Sequence, residues 1–188
     1  MVNFDTTDRS RLAEDEYFRR NDAEILHRAR EAERVARERA ALTEALGAPD
    51  PDTCRQLHAC GLRASTTVLV EWLPAVEVAW LNGADVAERH ALRVHFSSDD
   101  RVSAEGMALL DGWLTLRPPD TLFAAGRRAI RARLLTLGAD DREAMLARVL
   151  ALCEATGRAS GGCFGLGALS SDERSRISVI QADLERPL

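Results

Sequence analysis

The chain has 188 residues, of which 46% are hydrophobic and 29% charged, a composition typical of globular rather than disordered proteins. Its net charge is −5, and all 25 basic residues are arginine. Nucleic-acid binding depends on clustered basic residues that neutralise phosphates, so this balance argues against a nucleic-acid partner. No segment approaches the roughly 20 apolar residues that a membrane span requires.

The N-terminus lacks the features of an export signal. Asp5 and Asp8 follow Met1 within a segment that has no apolar core. The four cysteines form no C-x-x-C pair, and in a chain without an export signal free thiols are expected rather than disulfides. We therefore expect a cytoplasmic protein without disulfides.

Residues 9–46 contain neither glycine nor proline, and their nine arginines are matched by nine acidic residues. Acids recur four residues before an arginine, a spacing that stabilises a helix by roughly 0.2–0.5 kcal/mol per pair. The pairs are Asp15 with Arg19, Glu16 with Arg20, Glu24 with Arg28, and Glu33 with Arg37. This pattern predicts one long charged helix, about 57 Å in length at roughly 1.5 Å per residue.

The apolar stripe of this helix is thin. Phe18, Ile25 and Ala32 are spaced seven residues apart, but Arg39 stands at the next position of the series. The stripe is too weak for a strong zipper, yet it could bury a modest area against one partner helix. We predict that the N-terminal helix associates with itself or with another protein, with Phe18 and Ile25 as contact residues.

Further helices are predicted along the rest of the chain, because glycine, proline and capping residues bound segments with apolar residues at helical spacing. The predicted helices are 52–60, 66–81, 85–96, 103–114, 122–137, 142–155 and 170–184. The predicted N-terminal caps include Thr66 or Thr67 for the helix over 66–81, Ser103 for the helix over 103–114, and Asp140 for the helix over 142–155. No segment has the alternation of a strand. We predict an all-α protein divided into a charged helix (1–46), a linker with a short helix (47–64) and a compact bundle (65–188).

The helix predicted over residues 66–81 carries Leu69, Trp72, Val76 and Ala79 on its apolar face. Trp80 lies some 70–100° away from that stripe, at about 100° per residue. An aromatic residue in this position predicts the edge of a surface groove. Trp80 is therefore a third candidate contact residue.

Two helix starts have the same pattern. Asp85 precedes Glu88 by three residues, and Ser170 precedes Glu173 by the same interval. This is the spacing of a capping box, in which the two side chains bind the free backbone N–H groups of the first turn. Gly83 and Gly167 precede these caps and can end the previous helix.

Each of these helix starts, with the glycine before it, forms a corner between two helices. In these corners and the segments before them, residues 66–184 resemble the TerB-like, tellurite-resistance type of bacterial helical domain. One resembling segment covers residues 72–80 and runs into the corner at Gly83. The other covers residues 161–167 and runs into the helix that starts at Ser170. The resemblance implies a compact helical bundle, a link to stress response, and divalent metal at the acidic corners.

The metal ligands implied by the resemblance are incomplete in this sequence. Asn82 stands where the family has an acid before the first glycine, and Leu166 stands at the corresponding place in the second corner. Hard cations require several oxygen ligands, and Asp85 and Glu88 are the remaining candidates. We therefore predict no cofactor and no tightly bound metal.

Two short segments resemble parts of enzyme active sites, but the rest of each site is missing from the sequence. Cys163 lies in a glycine-flanked pattern of a nucleophile elbow, which requires a preceding strand. Glu24 and His27 have di-iron spacing, but a second such pair is missing. The favoured hypothesis is a non-enzymatic protein-interaction module. The alternatives are a metal-binding or metal-stress protein using Asp85 and Glu88 and, more distantly, a hydrolase using Cys163.

Overall fold

The computed structural model describes residues 4–47, 49–159 and 168–186, with side chains from residue 16 onward. These residues form eight α-helices and one short 3-10 turn, and no strand occurs among them. The all-α class predicted from the sequence is confirmed. The helices are α1 (Phe4–Ala45), α2 (Pro51–Ala59), α3 (Leu69–Ala79), α4 (Val86–Ser97), α5 (Ala104–Thr115), α6 (Asp120–Thr136), α7 (Ala139–Ala159) and α8 (Ser171–Glu185).

The chain divides into two compact units, Met1–Glu38 and Arg39–Leu188. The described part of the first unit, from Phe4, is helical, and ion pairs between successive turns connect its charged side chains. Three predicted pairs are present: Glu16 with Arg20, Glu24 with Arg28 at 2.5 Å, and Glu33 with Arg37 at 3.7 Å. Arg34 also contacts both Glu31 and Glu38. The fourth predicted pair involves Asp15, whose side chain lies outside the described residues.

The second unit is built around α3. All eleven residues of α3 are buried, and the helix packs against α4, α5, α6, α7 and α8. The four residues predicted as its apolar face, Leu69, Trp72, Val76 and Ala79, are all buried, and the residues on its other sides are buried as well. A helix that is hydrophobic on nearly every side is stable only when other elements cover all of it.

The start of α3 also differs from the prediction of a threonine cap at Thr66 or Thr67. The residue at the N-cap is Val68, which offers no side-chain cap. Thr66 lies in the 3-10 turn Ala64–Thr66, where its Oγ1 accepts a hydrogen bond from the backbone N–H of Arg63 at 3.0 Å. The turn therefore uses the hydroxyl group that the sequence pattern had assigned to the helix.

The last turn of α1 contributes to the core of the second unit. Leu42 is fully buried and Leu46 is 3% exposed, and both belong to the cluster of buried apolar residues around α3. The predicted division at residues 46 and 64 stays a prediction. A truncation designed to leave the second unit intact should therefore begin at Arg39.

Candidate functional site

The two predicted helix starts both form capping boxes. Asp85 Oδ1 accepts a hydrogen bond from the backbone N–H of Glu88 at 2.8 Å, and Glu88 Oε2 accepts one from the N–H of Asp85 at 2.8 Å. Ser170 Oγ accepts from the N–H of Glu173 at 3.2 Å, and Glu173 Oε2 accepts from the N–H of Ser170 at 2.7 Å. The capping predictions for α4 and α8 are confirmed.

Glu88 differs from an ordinary capping residue because it is fully buried. Burial raises the pKa of its carboxyl group to about 7, and the negative charges of Asp85 and Glu173 contribute to that increase. Its Oε1 atom has no hydrogen-bond partner among the described residues. An oxygen in this environment favours the protonated acid, since a proton removes the cost of a buried charge.

The capping hydrogen bonds of Asp85 and Glu88 disfavour metal binding by these two candidate ligands. One oxygen of Asp85 and one of Glu88 already accept backbone hydrogen bonds, so a cation there would compete with the cap. Within the part of the chain that the structure describes, no three His, Cys, Asp or Glu side chains are grouped closely enough to hold a metal ion. The absence of a tightly bound metal stays a prediction.

The candidate contact residues of α1 are exposed. Phe18 is 58% exposed and Ile25 is 55% exposed, and their neighbours Tyr17 and Leu26 are also largely in solvent. The rings of Tyr17 and Phe18 contact each other edge to face, with 5.7 Å between centroids. Within the described part of the first unit, these four apolar side chains are therefore exposed on a helix whose other side chains are mostly charged, and we call them the exposed apolar cluster.

Trp80 lies at the C-terminal end of α3 and is partly buried. Its indole Nε1 donates a hydrogen bond to the backbone oxygen of Trp113 at 2.9 Å. The residue lines a cavity of about 210 Å³, which we call the Trp80 cavity. The other lining residues are Glu77, Leu81, Arg117, Asp120, Phe123, Arg127 and Arg176.

Glu77 is a buried acid of α3 that lines the Trp80 cavity. Its carboxylate contacts Arg127 of α6, and its Oε1 atom lies 3.4 Å from Nη1 of Arg176 of α8. Arg127 also donates from Nε to Asp183 at 2.8 Å, and Asp183 contacts Arg131 at 3.3 Å. This network connects three helices through one buried carboxylate.

Glu71 is the second buried acid of α3 and has a similar role. Nη1 of Arg101 lies 3.1 Å and 3.2 Å from its two carboxylate oxygens, and Nε of Arg148 lies 3.4 Å from one of them. Arg101 also binds Asp99, with Nη2 2.7 Å from Oδ2. The nearby cleft has a volume of about 620 Å³ and is lined by Trp72, His95, Ser98, Asp99, Asp100, Arg101, Arg148 and Leu152.

In the sequence, both glutamates stand out only as interruptions of the apolar run over residues 66–81. A signal for their role was nevertheless present, because an acid within a helix that is otherwise apolar must find a cation when it is buried. What the sequence did not contain was the identity of the partner arginines, which come from other helices.

The described thiols are poor nucleophiles. Cys54 and Cys153 are buried, and burial raises the pKa of Cys153 above its usual range. Burial also raises the pKa of Cys60. Since the thiolate is the reactive form, these shifts disfavour covalent catalysis at neutral pH. Cys163, the nucleophile of the hydrolase alternative, lies outside the described residues.

Comparisons of the chain with protein-family models, with curated proteins and with solved structures found no match. Among the described residues, no helix is both long and apolar enough to cross a membrane.

Proposed function

We propose that this chain is a non-enzymatic, TerB-like helical module that acts in the cytoplasm through protein contacts made by its N-terminal helix. The bundle supplies the fold, and the helix supplies the contact surface. The stress-related role that the resemblance implies belongs to the same proposal.

The observation that carries the proposal is the exposed apolar cluster on α1. Its members are Tyr17, Phe18, Ile25 and Leu26, each more than half exposed. Among the side chains that the structure describes, from residue 16 onward, none before Leu42 belongs to the main cluster of buried apolar residues. Complete burial of such side chains stabilises an interface by about 1.5–3 kcal/mol each, and by less where a side chain is already half covered. Together they offer a modest apolar surface, whose burial must outweigh the cost of bringing two chains together.

A second copy of the same helix is the partner that we favour, because the described part of the first unit would not repel itself. Between Glu16 and Glu38 it carries six arginines and six acidic residues. Phe18 and Ile25 are seven residues apart and therefore lie on the same side of the helix, as the contact residues of paired helices do. The charged groups on either side of this seam would determine register more than affinity.

The chemistry of the described side chains supports a role outside catalysis. The two buried acids of α3 are neutralised by arginines, and the acids at the two corners serve as helix caps. Each of these groups has a structural partner. No combination of nucleophile and base is needed to account for their positions.

The proposal can be tested by sedimentation velocity over a range of concentrations. We expect the full chain to show concentration-dependent self-association that is lost when residues 1–38 are deleted. The substitutions Phe18→Glu and Ile25→Glu should weaken the association at least tenfold, since each places a charge in the apolar seam.

Val94→Glu is the matched control, because Val94 is 52% exposed on α4 and lies outside α1. It should leave the association unchanged. A full chain that is monomeric at every concentration would contradict self-association. A Val94→Glu variant that dissociates as readily as Phe18→Glu would show that the contact is not specific to α1.

A further inference from the structure

The charges that line the Trp80 cavity do not balance. Three guanidinium groups, those of Arg117, Arg127 and Arg176, surround it, whereas Glu77 and Asp120 provide only two carboxylates. Arg127 and Arg176 share the single carboxylate of Glu77, and Arg117 binds Asp120 at 2.6 Å. The lining therefore has a net charge of +1 (three positive and two negative groups).

The charged residues that contact this lining from outside do not remove its excess positive charge. Asp183 binds Arg127 from the other side, but it also contacts Arg131, so this pair adds one negative and one positive charge. The excess of one positive charge persists in a chain whose overall charge is −5. A localised positive cavity in an acidic protein attracts small anions toward that position.

Several N–H groups at the cavity remain available. Arg117 uses Nη2 for Asp120, and Arg176 uses Nη1 for Glu77. Their other guanidinium nitrogens have no hydrogen-bond partner among the described residues. Arg117 also lies over the ring of Phe123, 5.8 Å from the centroid, which helps to orient its planar head. Two guanidinium groups with available N–H donors match the paired oxygens of an oxyanion.

We propose that the Trp80 cavity binds a small free oxyanion, in which a carboxylate or phosphoryl group contacts Arg117 and Arg176. The volume of about 210 Å³ lies below the roughly 300–1,000 Å³ typical of drug-sized ligands, so the ligand has few heavy atoms. Trp80, whose indole is held by Trp113, forms one wall of the site. Arg127 is mostly buried between two carboxylates and maintains the shape of the cavity.

The experiment is calorimetric titration of the full chain at low ionic strength with sodium benzoate and with inorganic phosphate. We expect saturable binding of at least one of them, weakened by added sodium chloride because exposed charges are screened. Benzylammonium, which has a similar ring and the opposite charge, should not bind. The variants Arg117→Gln and Arg176→Gln should each weaken binding at least tenfold. Both arginines are nearly half exposed, which favours folding of the variants.

Arg93→Gln is the control, because Arg93 binds Asp111 at 2.6 Å with an exposure close to that of Arg117 but lies outside the cavity. It should bind the anion within twofold of the unsubstituted protein. If a cavity variant fails to fold, the NMR signal of the Trp80 indole N–H in the unsubstituted protein provides the second measurement and should shift on titration. The proposal is overturned if neither anion binds, if benzylammonium binds equally well, if Arg93→Gln weakens binding as much as Arg117→Gln, or if the Trp80 signal does not move.

Discussion

Two glutamates, Glu88 and Glu173, cap helices from positions that are almost completely buried. The burial of Glu88 has a consequence for stability. It raises the pKa of the carboxyl group to about 7, and one of the carboxyl oxygens has no partner among the described residues. Near neutral pH this group is close to the midpoint of its titration. The stability of the folded protein should therefore depend on pH in this range.

The first prediction concerns that dependence. Between about pH 4.5 and 7 the folded protein holds a proton on Glu88 that the unfolded chain has released, so the free energy of unfolding should fall as pH rises through this window. The loss should total roughly 3–4 kcal/mol, at about 1.4 kcal/mol per pKa unit. Urea unfolding at several pH values will measure it. Glu88→Gln should remove this decrease and make the protein more stable than the parent at pH 8.

Glu143→Gln serves as its control, because Glu143 is an exposed acid of α7. Its stability should follow that of the parent protein at every pH. A Glu88→Gln variant that retains the full pH dependence of the parent would show that the dependence arises elsewhere.

The second prediction is that no divalent ion binds tightly at Asp85 and Glu88. Each contributes one oxygen to the cap, and the pKa of Glu88 leaves its carboxyl group partly protonated near pH 7. Elemental mass spectrometry of the purified protein should find no stoichiometric metal, and titration with calcium, magnesium or manganese should give no saturable heat. About one ion per chain, lost in Glu88→Ala, would favour the metal-binding alternative instead.

At the scale of elements, the close approach of α3 and α6 depends on a missing side chain. A Cβ atom at Gly126 would lie 2.6 Å from Cδ1 and 3.2 Å from Cβ of Leu73, which is fully buried. The Cβ of Leu73 moves only with the helix, so rotation of its side chain cannot relieve the whole overlap. Gly126 therefore sets the distance between the two helices.

The third prediction follows from this contact. Gly126→Ala should lower the free energy of unfolding by about 1–3 kcal/mol, the usual effect of overpacking a core. Gly112→Ala is the matched control within α5, because a Cβ there meets no atom within 4 Å. It should stabilise the protein by roughly 0.5–1 kcal/mol, since alanine has less conformational freedom to lose on folding. Equal effects of the two substitutions would contradict the proposed role of Gly126.

The start of a helix can be predicted from the local sequence in some cases and not in others. Ser103 accepts a hydrogen bond from the N–H of Gly106 and caps α5 as predicted. In contrast, α7 begins at Ala139, although the predicted start was Arg142 with Asp140 as its cap. The N–H of Arg142 binds the backbone oxygen of Gly138 at 2.9 Å. This backbone contact extends the helix beyond the residue that the capping pattern indicated.

At the scale of the whole molecule, the two compact units differ in how much of their apolar side chains is exposed to solvent. The described part of the first unit exposes Tyr17, Phe18, Ile25 and Leu26, whereas the second unit surrounds α3 with five other helices. Leu42 and Leu46 belong to the core of the second unit although they lie within the segment predicted as a separate N-terminal helix. We therefore expect these two residues to set the length of chain needed for folding.

The fourth prediction compares two truncations. The chain 39–188 should melt cooperatively within a few degrees of the full protein, because it keeps the whole buried cluster. The chain 47–188 should lose several kcal/mol, since losing a buried leucine typically costs about 2–5 kcal/mol. Differential scanning calorimetry will measure both. A 39–188 chain without a cooperative transition would indicate that the first 38 residues are required for folding, and identical melting of both chains would contradict the structural role of Leu42 and Leu46.

The sequence by itself determined the features that depend on neighbours within one or two turns. The capping boxes at Asp85 and Ser170 join residues three positions apart, and the ion pair of Glu24 with Arg28 joins residues four positions apart. These spacings are properties of any helix, so they can be recognised before the fold is known. Together with apolar residues at helical spacing and the lack of strand-like alternation, they predicted an all-α protein.

Only the tertiary structure decided which side chains meet across helices. Glu77 binds arginines that lie 50 and 99 residues further along the chain, and the arrangement of those arginines creates the Trp80 cavity. The pKa of Glu88 likewise depends on burial and on Glu173 of another helix. Such contacts depend on how amphipathic helices pack, and many packings satisfy the same local pattern. The sequence therefore predicted Trp80 as a groove residue but not the charges that surround it.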